Sequence, residues 1–412
     1  RDRTGHVSVV NSAARALLSE AARATRHSAA TRPVSARGVP AASLPADAAP
    51  APSVPSPIPA DGRSTSGTSP VPAAGDAARR SAPLIPADGV LVDAEDLLAA
   101  VPPLPREAFA AAVRAVSADL AAAGVTAITD ATVTNSVADA ERFAALTRSG
   151  EVRQRVELLA GDGELQAFAA AGLPFGADLD GIAIGHAKSY VTEATTRKEL
   201  AARIAGAGGL GWPVALHVMG LVEADVALEC LAASPPPPGA RHRIEHLALS
   251  LPEHVRALAE LPVTVVTNPG FLPERGAKYR RELSREERGW LYRVGSLLEA
   301  GIEVRGGTDA PVVAAEPLRS IAAAVERRDE FGVIGGAEAV DPAAALALFS
   351  GGQAALDRGD VTVLGADPLA APDGIAAIPV LATFVGGVLV HAAEECLEQM
   401  PTALAEDLEG VP

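Results

Sequence analysis

The sequence predicts an α/β protein: a (β/α)8 TIM-type barrel lacking its first strand in this chain, with a partial flanking β-sandwich. Three observations lead there. Short β-branched runs alternate with amphipathic helical stretches, the pattern of a parallel sheet wrapped by helices. Seven such runs are present, one fewer than a closed barrel needs. Several of them end on His, Lys or Asp, at the strand ends where a parallel barrel presents its chemistry.

Residues 1–28 hold an expected helix, Asn11 to Arg26, capped by Asn11 or Ser12. They are assigned to the start of the barrel region. Residues 29–86 are Ala, Pro, Ser, Gly and Asp without hydrophobic periodicity, and no aromatic residue precedes Phe109. Such a segment buries too little apolar area to offset its ordering entropy, so it is expected to be a disordered insertion. The barrel proper is expected over 87–350. Arg106 to Ala123 carries Phe109, Val113, Val116 and Leu120 at helical spacing and stops at Gly124.

The seven strand runs are Val125–Thr129, Val152–Leu159, Gly181–Lys188, Pro213–Val218, His242–Leu247, Pro262–Asn268 and Ile302–Asp309. Helical stretches between them include Val137–Arg148, Thr196–Ala207, Leu221–Ala233, Pro252–Leu261 and Leu291–Ala300. Everything after Gly124 runs without a gap, so the absent unit should be the first. The sequence is therefore expected to be a fragment or variant without barrel strand one. Residues 351–391 are β-rich, with Gly386-Gly387 placed as a hairpin turn, and should form the C-terminal part of a β-sandwich. Residues 392–412 are an acidic tail.

At 412 residues and 48% hydrophobic content the chain can bury a large core. Its formal charge of -16 makes it a poor match to a phosphate backbone, which argues against nucleic-acid binding. No apolar run is long enough to span a bilayer, so no membrane partner is expected. Cys230 and Cys396 sit in no metal-binding spacing and read as reduced thiols, which points to the cytoplasm. A homo-oligomer is compatible with the sequence.

The candidate chemistry lies at strand ends. In Val214-Ala215-Leu216-His217, alternation puts Val214 and Leu216 against the helices and His217 toward the barrel axis. The same reasoning places Lys188, His246 and Asp309 at the mouth. Only three of 35 basic residues are Lys, namely Lys188, Lys198 and Lys278, so a Lys at a strand end suggests a need for an amine. His217 and His246 suit zinc or another borderline divalent ion. Asp309 would act as acid and base toward water and the leaving nitrogen, or would cap the next helix ahead of Pro311. His186 and His242 are expected to fill the barrel one layer deeper, and His254 and His391 to lie on the surface. His6, and with it Asn11, could line the substrate pocket, as could Phe271.

Ala215-Leu-His217-Val-Met-Gly220, Arg243-Ile-Glu-His246, Val266-Thr-Asn-Pro-Gly270-Phe and Gly307-Thr-Asp309-Ala-Pro311 resemble successive strand motifs of the metal-dependent amidohydrolase superfamily. The branch they most resemble is amidohydrolase family 3, which includes N-substituted formamide deformylase-like proteins. Gly5-His-Val-Ser-Val-Val-Asn-Ser-Ala13 resembles its segment after strand one, and Gly124-Val-Thr-Ala-Ile-Thr-Asp130 its second strand. The resemblance implies metal-dependent hydrolysis of a non-peptide C–N bond in a small amide. It implies His217 and His246 as metal ligands, Lys188 as a ligand that carboxylation would make bridging, and Asp309 as the catalytic acid/base. The family's His-x-His pair is absent from all 412 residues. The expected cofactor is accordingly one divalent ion, zinc, rather than two. A second reading is a truncated or decayed barrel without catalysis that serves at most as a binding protein. A third is another barrel hydrolase, such as a deaminase or a phosphotriesterase-like enzyme.

Overall fold

A computed structural model describes residues 7–9, 90–92, 104–370 and 372–397. The chain divides into two compact units, Arg1–Pro103 and Leu104–Pro412. In the first, β1 (Val7–Val9) pairs antiparallel with β2 (Val90–Val92), Val7 opposite Val92. The helix expected over 11–26, the disorder expected over 29–86, the pocket roles of His6 and Asn11, and the tail beyond 397 lie outside the described residues.

The second unit opens with a helix over Arg106–Ala122. There follow β3 (Ala127–Asp130), β4 (Arg155–Gly161), a short β5 (Asp178–Leu179), β6 (Ile182–Tyr190), β7 (Val214–Val218), β8 (His242–His246), β9 (Val263–Thr267) and β10 (Glu303–Gly306). Seven of these form one parallel sheet in the order β10-β9-β8-β7-β6-β4-β3, with β5 antiparallel beside β6. The expected strand count and sequence order are both met. Capping boxes start two of the intervening helices, Ser136 with Asp139 before Val137–Arg148 and Thr196 with Glu199 before Arg197–Gly209.

Alternation sorts the sheet's faces. Val156, Leu158, Ile184, Val214, Leu216, Val218, Ile244 and Val265 join the helix residues Leu200, Ile204, Ala227 and Leu258 in one buried apolar core. Each such Val, Leu or Ile side chain contributes roughly 1.5–3 kcal/mol by leaving water. The opposite, concave face carries Glu157, Lys188, His217, Arg243 and Glu245. At the two ends of the sheet, Ala127 and Thr129 of β3 and Glu303 and Arg305 of β10 are exposed. Among the described residues the parallel sheet is thus a curled half-barrel of seven strands.

Two places break simple alternation. In β6, Ile184 pairs with Leu158 but Ala187 with Ala160, so one extra residue is inserted. His186 sits at this bulge, its ring edge-on to Phe175 at 5.2 Å and its Nε2 donating to the Arg241 carbonyl at 3.1 Å. Burial pushes its imidazole down to about 4. In β8, His242 shares the parity of Ile244 and so faces the helices. Its Nδ1 accepts from the Val214 amide and its Nε2 donates to the Ser234 carbonyl at the end of the helix Leu221–Ala233. The expectation that His242 fills the barrel is corrected. So is the surface placement of His254, which is buried: its Nδ1 accepts from the Leu251 amide and its Nε2 meets Asp225. His391 is half-buried.

A small hairpin of β11 (Arg328–Asp329) and β12 (Gly332–Val333) precedes a three-stranded antiparallel sheet, β13 (Val361–Leu364), β14 (Val380–Val385) and β15 (Val388–Ala392). Gly386 and Gly387, with φ of 61° and 80°, make the expected two-residue turn. This sheet docks on the barrel through Thr383 Oγ1 to the Ala121 carbonyl at 2.7 Å and Thr362 Oγ1 to the Gly124 carbonyl at 2.8 Å. Asp360 completes the joint by accepting from Arg155 Nε, Arg358 Nε and the Gly386 amide. Desolvation opposes its charge, but Arg155, Gly386 and Arg358 outweigh it and hold the carboxyl below its ordinary value. A carboxyl so depressed contributes stability above its unfolded pKa and loses it as pH falls through the folded one. Asp360→Asn should cost about 1–2 kcal/mol at pH 7 in urea melts. That difference from wild type should shrink toward pH 3; a difference independent of pH would refute the charge-based account.

Candidate functional site

The ends of three strands and the segment after a fourth bring the candidate residues to one mouth. His217, next to last in β7, lies on the concave face because Leu216 and Val218 are committed to the helix-side core. Tyr190, the last residue of β6, packs edge-on against it at 4.7 Å between ring centres. His217 and His246 then stand edge-on to each other with ring centres 4.6 Å apart. Two imidazoles bound through nitrogen to one tetrahedral ion place their ring centres about 5 Å apart, so this spacing fits a shared cation.

His246 reaches that position against alternation. Ile244 faces the helices, so an extended His246 would face them too; a φ of 70° turns it to the mouth instead. Three contacts fix it. Thr267 Oγ1 donates to the His246 carbonyl at 2.9 Å, Phe271 stacks on the ring at 6.5 Å and 13°, and Nδ1 lies 2.7 Å from Asn268 Oδ1. Burial pushes the imidazole's pKa down, keeping it neutral and able to offer a lone pair.

Lys188 is 2% exposed on β6, and no carboxylate of the described residues stands within ion-pair distance of its amine. Desolvation lowers its pKa, which Glu245 offsets only in part. Glu245 is 6% exposed and is held by Arg243, whose Nε reaches Glu245 Oε1 at 2.9 Å and whose Nη1 reaches Glu157 Oε2 at 3.1 Å. Desolvation works against the Glu245 charge, yet Arg243, Lys188 and His246 hold its carboxyl below the ordinary range. The floor of the mouth is therefore an ordered layer of ions beneath the histidines. Arg243 and Glu245 are site residues beyond those expected from the sequence, and their inward parity follows from Ile244 in the extended β8.

Asp309 lies three residues beyond β10, which ends at Gly306 rather than at Asp309. It adopts φ 58° and stays exposed at the rim. Enough protein nevertheless surrounds it that desolvation raises its carboxyl, with His246 and Lys188 pulling it back. It caps no helix: the next one, Pro317–Glu326, begins eight residues on behind Glu316. Phe271 is 2% exposed at the head of the helix Phe271–Glu282. It lies between His246 and Tyr292, backing the histidine within a second apolar cluster with Ala248, Leu272 and Leu291.

The described residues thus offer two imidazoles, that of His246 with its pKa lowered by burial, and one buried amine to a cation, with a carboxylate at the rim. Among them no group of three His, Cys, Asp or Glu side chains converges on a single ion position. No helix among them is long and apolar enough to cross a membrane, and Cys230 and Cys396 are both free.

A parallel strand–helix barrel with imidazoles and a carboxylate at its C-terminal mouth is the framework of a barrel hydrolase. The chain belongs to the amidohydrolase family, whose model matches residues 61–391. The Bacillus subtilis (strain 168) protein YtcJ, named as an amidohydrolase, is 25% identical over 199 residues, 44% of this chain and 38% of its own length. Among solved structures, an uncharacterized metal-dependent hydrolase from Pyrococcus horikoshii OT3 matches with TM-score 0.55 and 19% identity, covering 71% of this chain and 62% of that one. A second, from Pyrococcus furiosus, matches with TM-score 0.53 and 20% identity over 64% and 59%. The chain therefore spans about two fifths of YtcJ and about three fifths of each hydrolase.

Proposed function

We propose that the protein is a metal-dependent hydrolase of a small amide, cleaving a C–N bond other than a peptide bond, in the N-substituted formamide deformylase-like branch of its family. The observation that carries this reading is the facing pair His217 and His246 above a buried lysine amine that forms no ion pair with a carboxylate of the described residues. His217, His246 and Lys188 would hold one divalent ion, and the nitrogen-rich donor set favours zinc. The metal-dependent character of the Pyrococcus hydrolases supports a cation here. Such an ion supplies Lewis-acid polarisation of the amide carbonyl and activation of water. Asp309 would take the proton from that water and return it to the departing nitrogen. Lys188, whose pKa burial lowers, is suited either to bind directly or to react with carbon dioxide first. Phe271 would act by holding His246 rather than by touching substrate, and Tyr190 would border the substrate beside His217. The charge of -16 and the free thiols fit a cytoplasmic enzyme with no nucleic-acid partner.

Zinc titration of the full chain tests the reading. About one equivalent should bind tightly, raise the melting temperature and support turnover of formamides or cyclic amides. His217→Ala and His246→Ala should each weaken binding by at least about 100-fold. Turnover of phosphotriesters alone would redirect the reading to a different barrel hydrolase. A second reading, an inactive barrel that serves for binding, is favoured by the exposed edges of β3 and β10, which also suit pairing with another copy. Zinc-independent stability together with no turnover would select it.

A further inference from the structure

Asn268, directly after β9, touches both halves of the mouth. Its Nδ2 lies 2.8 Å from the Gly307 carbonyl. A carbonyl only accepts, so the amide must present its NH2 there and its Oδ1 to His246, 2.7 Å away. Oδ1 also only accepts, so His246 Nδ1 carries the proton and Nε2 carries the lone pair. The neighbouring residue reinforces both ends. Thr267 Oγ1 holds the His246 carbonyl, and the Thr267 carbonyl receives the Gly307 amide at 2.9 Å. Both backbone polar groups of Gly307, two residues ahead of Asp309, are thus held from the end of β9. Asn268 is 4% exposed, so water competes poorly for these bonds. A Cβ at Gly307 would stand 3.3 Å from Asn268 Nδ2, so the glycine leaves the amide room to sit between the two elements.

We propose that Asn268 is a positioning residue that fixes His246 as the tautomer with a bare Nε2 and, through Gly307, ties that choice to the segment bearing Asp309. One carboxamide uses its acceptor on the histidine and its donor on the loop. Neither can turn away without stranding the other, because a flipped amide would set NH2 against the Nδ1 proton and Oδ1 against a carbonyl. The tautomer is therefore set by the fold before any ion arrives. This inference rests on the proposed role of His246, but its decisive measurement needs no metal.

The test is nitrogen NMR of the metal-free full chain with 15N-labelled histidine, with His246 assigned from the His246→Gln spectrum. Wild type should show His246 protonated at Nδ1 only. Asn268→Leu, close in size but without either polar group, should shift His246 toward the Nε2-protonated form. It should also weaken zinc binding by about 10–100-fold in chelator competition. Asn268→Asp retains the acceptor, so Nδ1 should stay protonated and zinc binding should remain within a few fold of wild type. An Nε2-protonated His246 in wild type would overturn the proposal with no variant needed. An unchanged tautomer in Asn268→Leu would overturn it equally. Should that variant not fold, loss of the Nδ1 proton in Asn268→Asp would do the same. Zinc failing to bind wild type while the tautomer result holds would count against the proposed function and not against this role.

Discussion

Asp309→Asn should lower kcat by about 10²–10⁴ while leaving zinc binding within a few fold of wild type. The substitution keeps the size and removes only the ability to exchange a proton. Asparagine is among the few residues that tolerate φ near 58°, so the rim should keep its path. The carboxyl is raised by desolvation, with His246 and Lys188 opposing. A base must be ionised to act, so the wild-type rate should climb with pH through a pKa above the usual aspartate value. Asp309→Asn should lose that limb of the profile. The measurement is kcat and kcat/KM against pH on the best amide substrate. A variant with near-wild-type kcat, or one that keeps the same acid limb, would remove Asp309 from the chemistry.

The sequence made the sheet legible because hydrophobic alternation is a strong constraint wherever one face packs on helices. Seven strands, the inward aim of His217 and the Gly386-Gly387 turn all followed from it. Backbone conformation limits that reading at two site residues. His246 and Asp309 sit in left-handed backbone, where alternation stops, and nothing in the pattern marks the residue at which it stops. Reading His246 as inward by parity forced His242 inward too, whereas Ile244 places it outward. The inserted residue in β6 likewise interrupts alternation at His186. Asn268 lies within the Val266–Phe271 motif, but a hydrogen bond spanning β8 and the segment after β10 has no local sequence signature. Phe271 looked like a pocket aromatic because its neighbours in space, Tyr292 and Leu291, come some 20 residues later in the chain. The burial of Lys188 could be inferred from lysine's rarity, but the Arg243–Glu245 layer beside it depends on three strands meeting.

The same second cluster carries the largest stability effect. Arg327 is wholly buried with φ 45° and, among the described residues, has no carboxylate among its hydrogen-bond acceptors. Its guanidinium donates instead to three carbonyls, from Nη2 to Leu291 at 2.7 Å, Nη1 to Tyr292 at 2.8 Å and Nε to Ile334 at 3.2 Å. Desolvation lowers its pKa to about 10, with Glu338 opposing, yet it stays charged at neutral pH. Those carbonyls belong to the segment that seats Tyr292 against Phe271, and Phe271 backs His246. Arg327→Met keeps much of the volume but takes the guanidinium donor from three buried carbonyls, of which that of Tyr292 keeps the Val294 amide. The expected loss is about 3–5 kcal/mol in denaturant melts, two- to threefold that of Asp360→Asn, because solvent can reach the Asp360 joint through its half-exposed arginines and cannot reach this one. Arg327→Lys should recover only part of it, since one ammonium cannot follow a planar fork to three carbonyls. Both variants should weaken zinc binding more than Asp360→Asn does, as the shelf beneath His246 loosens. A loss under about 1 kcal/mol for Arg327→Met would mean that water replaces the guanidinium at no cost, and the shelf would then owe its order to apolar packing alone.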